Sequence, residues 1–438
     1  MKHRILLSLV AFIALLPLKA LAQFGIVNDV DTKYATSLPK TGEQAPDFKM
    51  KTLEGKTFKL SSLKKKVIIL DFWASWCPDC RGDMPEVKRI YERFKDKAAF
   101  VGVSFDTDKD AWKKAVEKYG IGYTQVSELK KMRETEIYKT YGIKWIPSYI
   151  IVGADGKIIL STVLTWKLEK KLMELFPDNQ KWAETTSNFS IQGSKGKLSA
   201  LMVKPVAKDD PKIDVAIVMH GFSGNKNESL LNDISQELIK KGIASVRFDF
   251  NGHGQSEGKF EDMTVPNEIE DAKCVFRYVH SLPWVRTIFL VGHSQGGVVA
   301  SMTAGELGTD SVKAVVLLAP AAVLREDAIR GNTMGANFDP LDPPEKVKLF
   351  NGLYLGGTYI RSAFSLPIYE TAAKYQGPAM MIHGNADHIV PYTYSERYHH
   401  IWPNSRLVIL DHFDHGFSQN QWRAAELVAE FLGTDRQI

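Results

Sequence analysis

The stretch TIFLVGHSQGG, residues 287–297, decides the fold of the second half of this 438-residue chain. An apolar run at 288–291 predicts a buried strand, and the small residues at 297–306 predict a helix. Between them, GHSQG has the G-x-S-x-G pattern of a sharp strand-to-helix turn that exposes a serine hydroxyl. The N-terminus of the helix favours negative charge that develops beside Ser294. We therefore predict that Ser294 is a nucleophile at the end of a sheet strand.

The sequence around this stretch alternates between strands and helices. Buried strands are predicted at 213–219, 243–250, 315–318, 379–382 and 406–410, amphipathic helices at 230–241 and 268–281, and a hairpin at 188–204. Such alternation is typical of a doubly wound sheet, in which the loops after the strands form the site. The alternation stops at about 320–375, where Gly, Pro and aromatic residues predict a cap.

A nucleophilic serine needs a general base, and the base needs an orienting acid. After G-x-S-x-G the expected chain order is an acid and then a histidine. Asp387 follows the strand at 379–382 and His415 follows the strand at 406–410, so we predict these two as acid and base. The sequence also leaves open His412 as base and Asp411 or Asp414 as acid. The backbone N–H groups of Gln295 and Phe222 are predicted to form the oxyanion hole.

The first half of the chain contains WASWCPDC at 73–80, after an apolar strand and before an amphipathic helix. A zinc site is disfavoured, because Cys274 is the only other cysteine. A static disulfide stays open, but the two-residue spacing favours redox turnover. We predict that Cys77, at the helix N-terminus, attacks and that Cys80 resolves. The carboxylate of Asp79 is expected to disfavour the thiolate and to make the pair more reducing. Alternating strands and helices predict a mostly parallel sheet.

The segments DFWASWC at 71–77 and WIPSY at 145–149 resemble those of thioredoxin-like proteins of bacterial envelopes, the TlpA/ResA type. The resemblance covers about 42–176. It implies that Asp71 is a buried acid beneath the dithiol, that Pro147 is a cis-proline facing it, and that the partner is a protein thiol or disulfide.

The segments HGFSGNKNE at 220–228, RFDFNGHG at 247–254, GHSQGG at 292–297 and LAPAA at 318–322 resemble those of bacterial cinnamoyl/feruloyl esterases of the α/β-hydrolase fold. The resemblance spans about 188–434. It implies hydrolysis of hydroxycinnamoyl esters, such as those on plant cell-wall polysaccharide. It also implies that Asp327 and Tyr359 in the cap hold the phenolic end of the substrate, and that Met334 replaces a glutamine often found there.

Residues 1–22 have the features of a secretory signal peptide: basic residues at 2–4, an apolar core at 5–16 and a small-x-small site at 20–22. An exported protein, periplasmic or secreted, is therefore expected. No later stretch is apolar enough to predict a membrane span in the mature chain. Residues 23–41 are expected to be a loose lead-in and residues 177–187 a linker, so that the domains are 42–176 and 188–438.

The composition is that of a folded, two- or three-domain protein, with 44% hydrophobic and 24% charged residues. The net charge of +5 would fall to +2 without the signal peptide, which argues against a nucleic-acid partner. Neither a metal nor a cofactor is predicted. The fold class is α/β, and the predicted function is an exported serine ester hydrolase with a redox domain. Two alternatives are an oxidoreductase whose hydrolase half only binds, and a serine peptidase.

Overall fold

A computed structural model describes residues 29–63, 65–177, 182–206, 212–349 and 352–434. These residues form two compact units that divide between Trp182 and Ala183. The predicted signal peptide lies outside the described residues, as do residues 178–181 of the predicted linker. Within the described ranges, no helix combines the length and the apolarity that crossing a bilayer requires.

The first unit is built on a seven-stranded sheet with the order β2-β1-β5-β4-β3-β6-β7. Its strands are β1 Lys49–Thr52, β2 Thr57–Lys59, β3 Ile68–Trp73, β4 Ala99–Ser104, β5 Thr124–Ser127, β6 Ser148–Val152 and β7 Ile158–Thr162. Its helices are α1 Asp31–Tyr34, α2 Pro78–Phe94, α3 Lys109–Tyr119, α4 Glu136–Thr140 and α5 Thr165–Leu175. The strand β3 is buried along its whole length and leads directly to the two cysteines.

The prediction of a mostly parallel first sheet is wrong. Only β3, β4 and β5 run parallel to one another, and β1, β2, β6 and β7 join the sheet by antiparallel pairing. The turn at Asp155 and Gly156 explains one such pair, because a short connection between neighbouring strands makes them antiparallel. The sequence analysis also missed β1, β2 and β5, which are only three or four residues long.

The expectation of a loose lead-in at 23–41 is wrong for its described part. The Lys167 Nζ atom lies 2.6 Å from carboxylate oxygens of both Asp29 and Asp31. Farther along, the Tyr34 ring stacks on that of Trp145, with ring centroids 4.0 Å apart. Residues 29–41 are therefore packed on the first unit, through partners more than a hundred residues away that no local pattern indicates.

The second unit is built on an eight-stranded sheet with the order β19-β18-β13-β12-β10-β11-β9-β8. These strands are β8 Glu184–Gln192, β9 Lys197–Pro205, β10 Ile213–Met219, β11 Ala244–Phe248, β12 Val285–His293, β13 Val312–Leu318, β18 Ala379–Gly384 and β19 Ser405–Leu410. The helices of this unit are α6 Ser229–Lys240, α7 Val265–Ser281, α8 Gln295–Leu307, α9 Val323–Arg330, α10 Gly357–Phe364, α11 Ile368–Ala372, α12 Thr393–Ile401 and α13 Gln421–Gly433. The six strands from β19 to β11 are parallel, so their carboxyl ends meet at one edge of the sheet.

The predicted hairpin at 188–204 is present as β8 and β9, but it is longer. Glu184 pairs with Pro205, so β8 takes in the last four residues of the predicted linker at 177–187. Between β13 and β18, where the cap was predicted, the chain forms α9, α10, α11 and two small hairpins. The strands of these hairpins are β14 Asn332–Thr333, β15 Ala336–Asn337, β16 Lys346–Lys348 and β17 Tyr354–Gly356.

Candidate active sites

Ser294 occupies the sharp turn between β12 and α8, with φ 55° and ψ −122°. A positive φ is strained for a residue with a side chain and persists only where the surroundings impose it. The two glycines of the pattern make the turn possible. A Cβ on Gly292 would lie 2.1 Å from the carbonyl oxygen of Gly296, and one on Gly296 would lie 2.4 Å from that of His220. At both glycines the backbone packs too closely for a side chain.

The structure brings Ser294, His415 and Asp387 into one hydrogen-bonded chain. The Nε2 atom of His415 lies 2.8 Å from Ser294 Oγ, and its Nδ1 atom lies 2.7 Å from Asp387 Oδ2. Since a carboxylate only accepts, Nδ1 carries the proton and Nε2 can accept the proton of the serine hydroxyl. The alternative base, His412, instead pairs with the alternative acid Asp411, at 3.2 Å.

Asp387 is held by four hydrogen bonds. Its Oδ1 accepts the backbone N–H groups of Ile389 and Val390, both at 2.8 Å. Its Oδ2 accepts from His415 and also from His383 Nε2, at 3.0 Å. Burial raises the pKa of Asp387, but the hydrogen bonds from the two histidines lower it more, so the pKa lies well below its usual range. The carboxylate is therefore a fixed negative charge.

His383 was not predicted as a site residue. This residue is fully buried at the end of β18, four positions before Asp387. Its Nε2 also lies 2.9 Å from the carbonyl oxygen of Val390, and its Nδ1 lies 2.7 Å from Ser395 Oγ. With two acceptors at Nε2, that nitrogen carries the proton and the Ser395 hydroxyl donates to Nδ1. The only signal in the sequence was a histidine on an otherwise apolar strand.

The strand order explains where the predicted oxyanion donors lie. Since β10 and β12 are neighbours, the loop after β10 runs beside Ser294. A Cβ on Gly221 would lie 2.9 Å from Ser294 Cβ, so Phe222 directly follows a residue that is in close contact with Ser294. The N–H of Gln295 is in the first turn of α8, where no intrahelical acceptor exists. The N–H of Ser294 itself donates to the carbonyl of Leu318, at 2.8 Å.

The first unit places Cys77 at the N-cap of α2 and Cys80 within its first turn. Both cysteines are buried thiols. The Cys80 N–H donates to Cys77 Sγ at 3.3 Å, and Cys77 Sγ lies 3.5 Å from the carbonyl oxygen of Ile146. The next peptide bond, Ile146–Pro147, is cis. The structure thus brings Pro147 to the dithiol.

As expected, the Asp79 carboxylate disfavours the Cys77 thiolate, because it raises the pKa of Cys77, but other groups outweigh it. The hydrogen bond from the Cys80 thiol lowers the pKa of Cys77 to about 7, together with backbone N–H groups of the helix start. Burial and the Asp79 carboxylate oppose this shift, but they are outweighed. Burial raises the pKa of Cys80, and the neighbouring Cys77 and Asp71 raise it further. The two thiols of one motif therefore differ sharply in acidity.

Asp71 lies on β3 and is 2% exposed. Its one hydrogen-bonding side-chain partner among the described residues is Tyr123, whose hydroxyl donates to Oδ2 at 2.6 Å. Burial raises the pKa of Asp71 to about 7, and the Tyr123 hydrogen bond offsets only part of that effect. The acid is therefore able to gain and lose a proton near neutral pH.

Comparisons with known proteins match each domain separately. Residues 41–161 match the AhpC/TSA family, and residues 210–338 match the family described as Serine aminopeptidase, S33. The thiol-disulfide oxidoreductase ResA of Bacillus thuringiensis (strain Al Hakam) is 32% identical over 120 residues, which are 27% of this chain and 66% of that protein. The thioredoxin-like protein YneN of Bacillus subtilis (strain 168) is 32% identical over 133 residues, 30% of this chain and 76% of that protein.

A solved structure of Est1E from Butyrivibrio proteoclasticus with bound ferulic acid matches the second unit. The TM-score is 0.54 and the identity 32%, over 56% of this chain and 97% of that one. The chain belongs to the thioredoxin-like proteins through its first domain and to the α/β-hydrolases through its second. The predicted fold class is confirmed, as are both resemblances.

The hydrolase domain has a cavity of about 510 Å³ at its candidate site. Ser294, His415, Phe222 and Gln295 lie in its wall, together with the three cap residues implied by the resemblance, Asp327, Met334 and Tyr359. Asp327 makes no side-chain hydrogen bond among the described residues, and burial raises its pKa to about 6. A polar group of a substrate is a suitable partner for this carboxyl group.

Tyr359 lies in the same wall, but its hydroxyl is already engaged. It donates to Gln295 Oε1 at 2.7 Å, and the whole residue is only 1% exposed. The sequence analysis also missed Glu268, which is 2% exposed and accepts from Gln295 Nε2 at 2.8 Å. Among the residues that the structure describes, no group of three or more His, Cys, Asp or Glu side chains is arranged to hold a metal ion.

Proposed function

We propose that the hydrolase domain is a serine ester hydrolase with Ser294 as nucleophile, His415 as general base and Asp387 as orienting acid. The observation that carries the proposal is the unbroken chain of two hydrogen bonds, 2.8 Å and 2.7 Å long, from Ser294 Oγ through the His415 ring to Asp387. A nucleophile, a base and an orienting acid in hydrogen-bond contact are what acyl transfer through a serine requires.

In the first step, Ser294 Oγ attacks the ester carbonyl carbon and its proton passes to His415 Nε2. The carbonyl oxygen becomes an oxyanion that accepts the N–H groups of Phe222 and Gln295. When the intermediate collapses, the bond to the alcohol oxygen breaks and His415 returns the proton to that oxygen. The alcohol leaves, and the acyl group stays on Ser294 as an ester.

In the second step, His415 takes a proton from water, and the water oxygen attacks the acyl carbon. The second oxyanion collapses with Ser294 Oγ as leaving group, which regains its proton from His415. The free acid is released. Throughout, the negative charge of Asp387 stabilises the imidazolium form of His415, which is why a low pKa for that carboxyl suits the mechanism.

The substrate class that we propose is hydroxycinnamoyl esters, including those of plant cell-wall polysaccharide. The support is the 32% identity to Est1E, whose structure holds ferulic acid, and the size of the cavity. The carboxyl of Asp327, which makes no side-chain hydrogen bond within the described ranges, suits a phenolic hydroxyl as hydrogen-bond partner. Met334 contributes an apolar side chain to the same wall.

The test is hydrolysis of methyl ferulate and of para-nitrophenyl acetate by the mature chain. Ser294→Ala should lower kcat by a factor on the order of 10⁶ on both esters. The double variant Cys77→Ser/Cys80→Ser is the matched control and should hydrolyse both at the wild-type rate. If Ser294→Ala hydrolyses as well as wild type, the esterase proposal is wrong.

A serine peptidase is the second candidate, and one observation favours it. A second acid, Glu228, lines the same cavity as Asp327. An acidic pair beside a serine nucleophile suits the amino terminus of a peptide, and the matching family is described as a serine aminopeptidase. Aminoacyl para-nitroanilides distinguish the two, since an esterase should turn them over far more slowly than methyl ferulate.

For the first domain we propose thiol–disulfide exchange with a protein partner. The Cys77 thiolate attacks a partner disulfide, the partner's second sulfur leaves as a thiolate, and a mixed disulfide forms. Cys80 then passes its proton to the partner thiolate that left first and attacks Cys77 Sγ. The bond between Cys77 Sγ and the partner breaks, the partner's other sulfur leaves as a thiolate and takes a proton from water, and a Cys77–Cys80 disulfide remains. Trp76, 53% exposed next to Cys77, offers the partner an apolar contact. The reverse sequence would oxidise a partner.

Reduction of insulin disulfides by the reduced protein tests this activity. Wild type should promote it, and Cys77→Ser/Cys80→Ser should not. If Ser294→Ala and wild type hydrolyse no ester while insulin is reduced, the alternative holds in which the hydrolase domain only binds. We also propose export to the periplasm or the exterior, and N-terminal sequencing of the mature protein should then begin at Gln23.

A further inference from the structure

Gln295 is fixed at both ends of its side chain by buried partners. The Tyr359 hydroxyl donates to its Oε1 at 2.7 Å, and its Nε2 donates to Glu268 Oε2 at 2.8 Å. All three residues are at most 2% exposed. The chain Tyr359–Gln295–Glu268 therefore connects the cap helix α10, the turn that carries Ser294, and the first turn of α7.

The same tyrosine also contacts the other proposed oxyanion donor. The Phe222 ring meets the Tyr359 ring edge-on, with centroids 5.9 Å apart, and it meets the Phe260 ring edge-on at 5.3 Å. Edge-to-face contacts fix the orientation of aromatic rings and add about 0.5–1.5 kcal/mol to the area that they bury. Phe222 and Gln295, whose N–H groups must point at one oxygen, thus share one buried neighbour.

We infer that Tyr359 and Glu268 are positioning residues for the oxyanion hole, and that Tyr359 donates its proton to Gln295 rather than to a substrate. The inference rests on the proposed esterase function and deepens it. A hydroxyl has one proton, and that of Tyr359 goes to Gln295. Its partner Gln295 carries a backbone N–H that must lie within about 0.5 Å of its productive place.

The charge state of Glu268 also suits a position near the proposed oxyanion hole. Burial raises the pKa of Glu268 to about 8, with the Gln295 hydrogen bond opposing and Asp271 adding to the shift. At neutral pH the carboxyl is therefore mostly uncharged and places little negative charge near the developing oxyanion. Glutamine has the shape of the uncharged form and can still accept from Gln295, so Glu268→Gln is the conservative variant.

The experiment measures kcat and KM of four variants on para-nitrophenyl acetate, methyl cinnamate and methyl ferulate. Tyr359→Phe and Glu268→Leu each break one hydrogen bond of the chain, and Glu268→Gln keeps it. Tyr398→Phe is the matched control, because it removes an equally buried hydroxyl that contacts Ser301 rather than the cavity. Thermal melting of each variant checks folding.

Tyr359→Phe and Glu268→Leu should lower kcat about tenfold on all three esters, less than the loss of a whole oxyanion donor. KM should stay within about twofold, and Glu268→Gln and Tyr398→Phe should match wild type. If Glu268→Gln keeps the wild-type kcat and Glu268→Leu does not, the loss comes from the broken hydrogen bond and not from a general loss of packing.

Two results would overturn the inference. In one, Tyr359→Phe raises KM for methyl ferulate and spares the two esters without a phenolic hydroxyl, so that the tyrosine binds substrate. In the other, folded Tyr359→Phe and Glu268→Leu keep the wild-type kcat. Should Tyr359→Phe not fold, the Glu268→Leu and Glu268→Gln pair decides alone. If Ser294→Ala retains activity, the proposed function has failed; if it is inactive while both positioning variants are normal, only this inference has.

Discussion

Asp71 in the thioredoxin-like domain and Asp387 in the hydrolase domain are both buried aspartates, 2% and 8% exposed. Burial raises the pKa of each, yet the net shifts go in opposite directions. The pKa of Asp71 rises to about 7, whereas that of Asp387 falls well below its usual range. Depth alone therefore does not decide whether a buried carboxyl carries a charge.

The number of hydrogen-bond donors accounts for the difference. Asp71 accepts from the Tyr123 hydroxyl, and Asp387 accepts from two imidazoles and two backbone N–H groups. Donors to a carboxylate stabilise its charged form, and two or three of them can outweigh desolvation. The pKa of the carboxyl with one side-chain donor therefore rises, and the pKa of the carboxyl with four donors falls.

Among changes to the two acids and to their donors, the largest effect should come from neutralising Asp387. Asp387→Asn keeps the shape but removes the charge, and its amide can donate to His415 Nδ1 and so favour the tautomer that cannot take the Ser294 proton. We expect kcat for para-nitrophenyl acetate to fall by about 10⁴. Asp411→Asn is the control, since that carboxylate pairs with Asn385 and His412 away from Ser294. A decrease in kcat of less than tenfold for Asp387→Asn would contradict the assignment of Asp387 as orienting acid.

A smaller effect should follow when one donor is removed from Asp387. His383→Leu leaves Asp387 with three donors and the Ser395 hydroxyl without its acceptor. Buried polar groups that lose a partner cost about 1–3 kcal/mol, so the free energy of unfolding in urea should fall by about that amount. His383→Gln can donate from its own Nε2 and should recover most of the loss. Equal stability of the leucine variant and wild type would show that His383 does not hold the acid.

The converse change tests the acid with few donors. Tyr123→Phe removes the hydrogen bond that lowers the pKa of Asp71, so the pKa should rise above about 7. Carbon-detected NMR titration of the Asp71 carboxyl measures this directly in the reduced protein. Tyr141→Phe, which loses a hydroxyl bonded to the carbonyl of Pro46, is the control and should leave the titration unchanged. A lower pKa of Asp71 in Tyr123→Phe would contradict the explanation by the number of hydrogen-bond donors.

The comparison also explains what the sequence could and could not predict. Ser294, Asp387 and His415 follow separate strands, and the rule that parallel strands end at one edge is enough to bring them together. The donors that set the charge of Asp387 follow no such rule. His383 is a single polar residue in an apolar strand, and the N–H groups of Ile389 and Val390 carry no sequence signal at all.

The cap also shows what the sequence could and could not predict. The loss of strand and helix alternation predicted its place, and the resemblance named Asp327, Met334 and Tyr359, all of which line the cavity. Which way the Tyr359 hydroxyl points depends on Gln295 and Glu268, residues 64 and 91 positions away. Short strands such as β2 and β16 were missed for a related reason, because three residues are too few for a periodic pattern.

The smallest predicted effect concerns the two thiols, which repeat the contrast between the two acids within one motif. A donated hydrogen bond lowers the pKa of Cys77 to about 7, while burial raises that of Cys80. The rate of iodoacetamide alkylation at Cys77, followed by mass spectrometry, should therefore rise with a midpoint near pH 7, and Cys80 should stay unreactive over the same range.

The variant Asp79→Asn tests how much the Asp79 carboxylate raises the pKa of Cys77. Because Asp79 opposes the thiolate, its neutralisation should move the Cys77 midpoint to lower pH, by less than the hydrogen bonds move it. The exposed Asp110, in the first turn of α3, provides the control as Asp110→Asn, which should leave the midpoint unchanged. A wild-type midpoint at or above that of free cysteine, about 8.5, would mean that Asp79 and burial outweigh the donors after all. The contrast drawn between Asp71 and Asp387 would then not extend to sulfur.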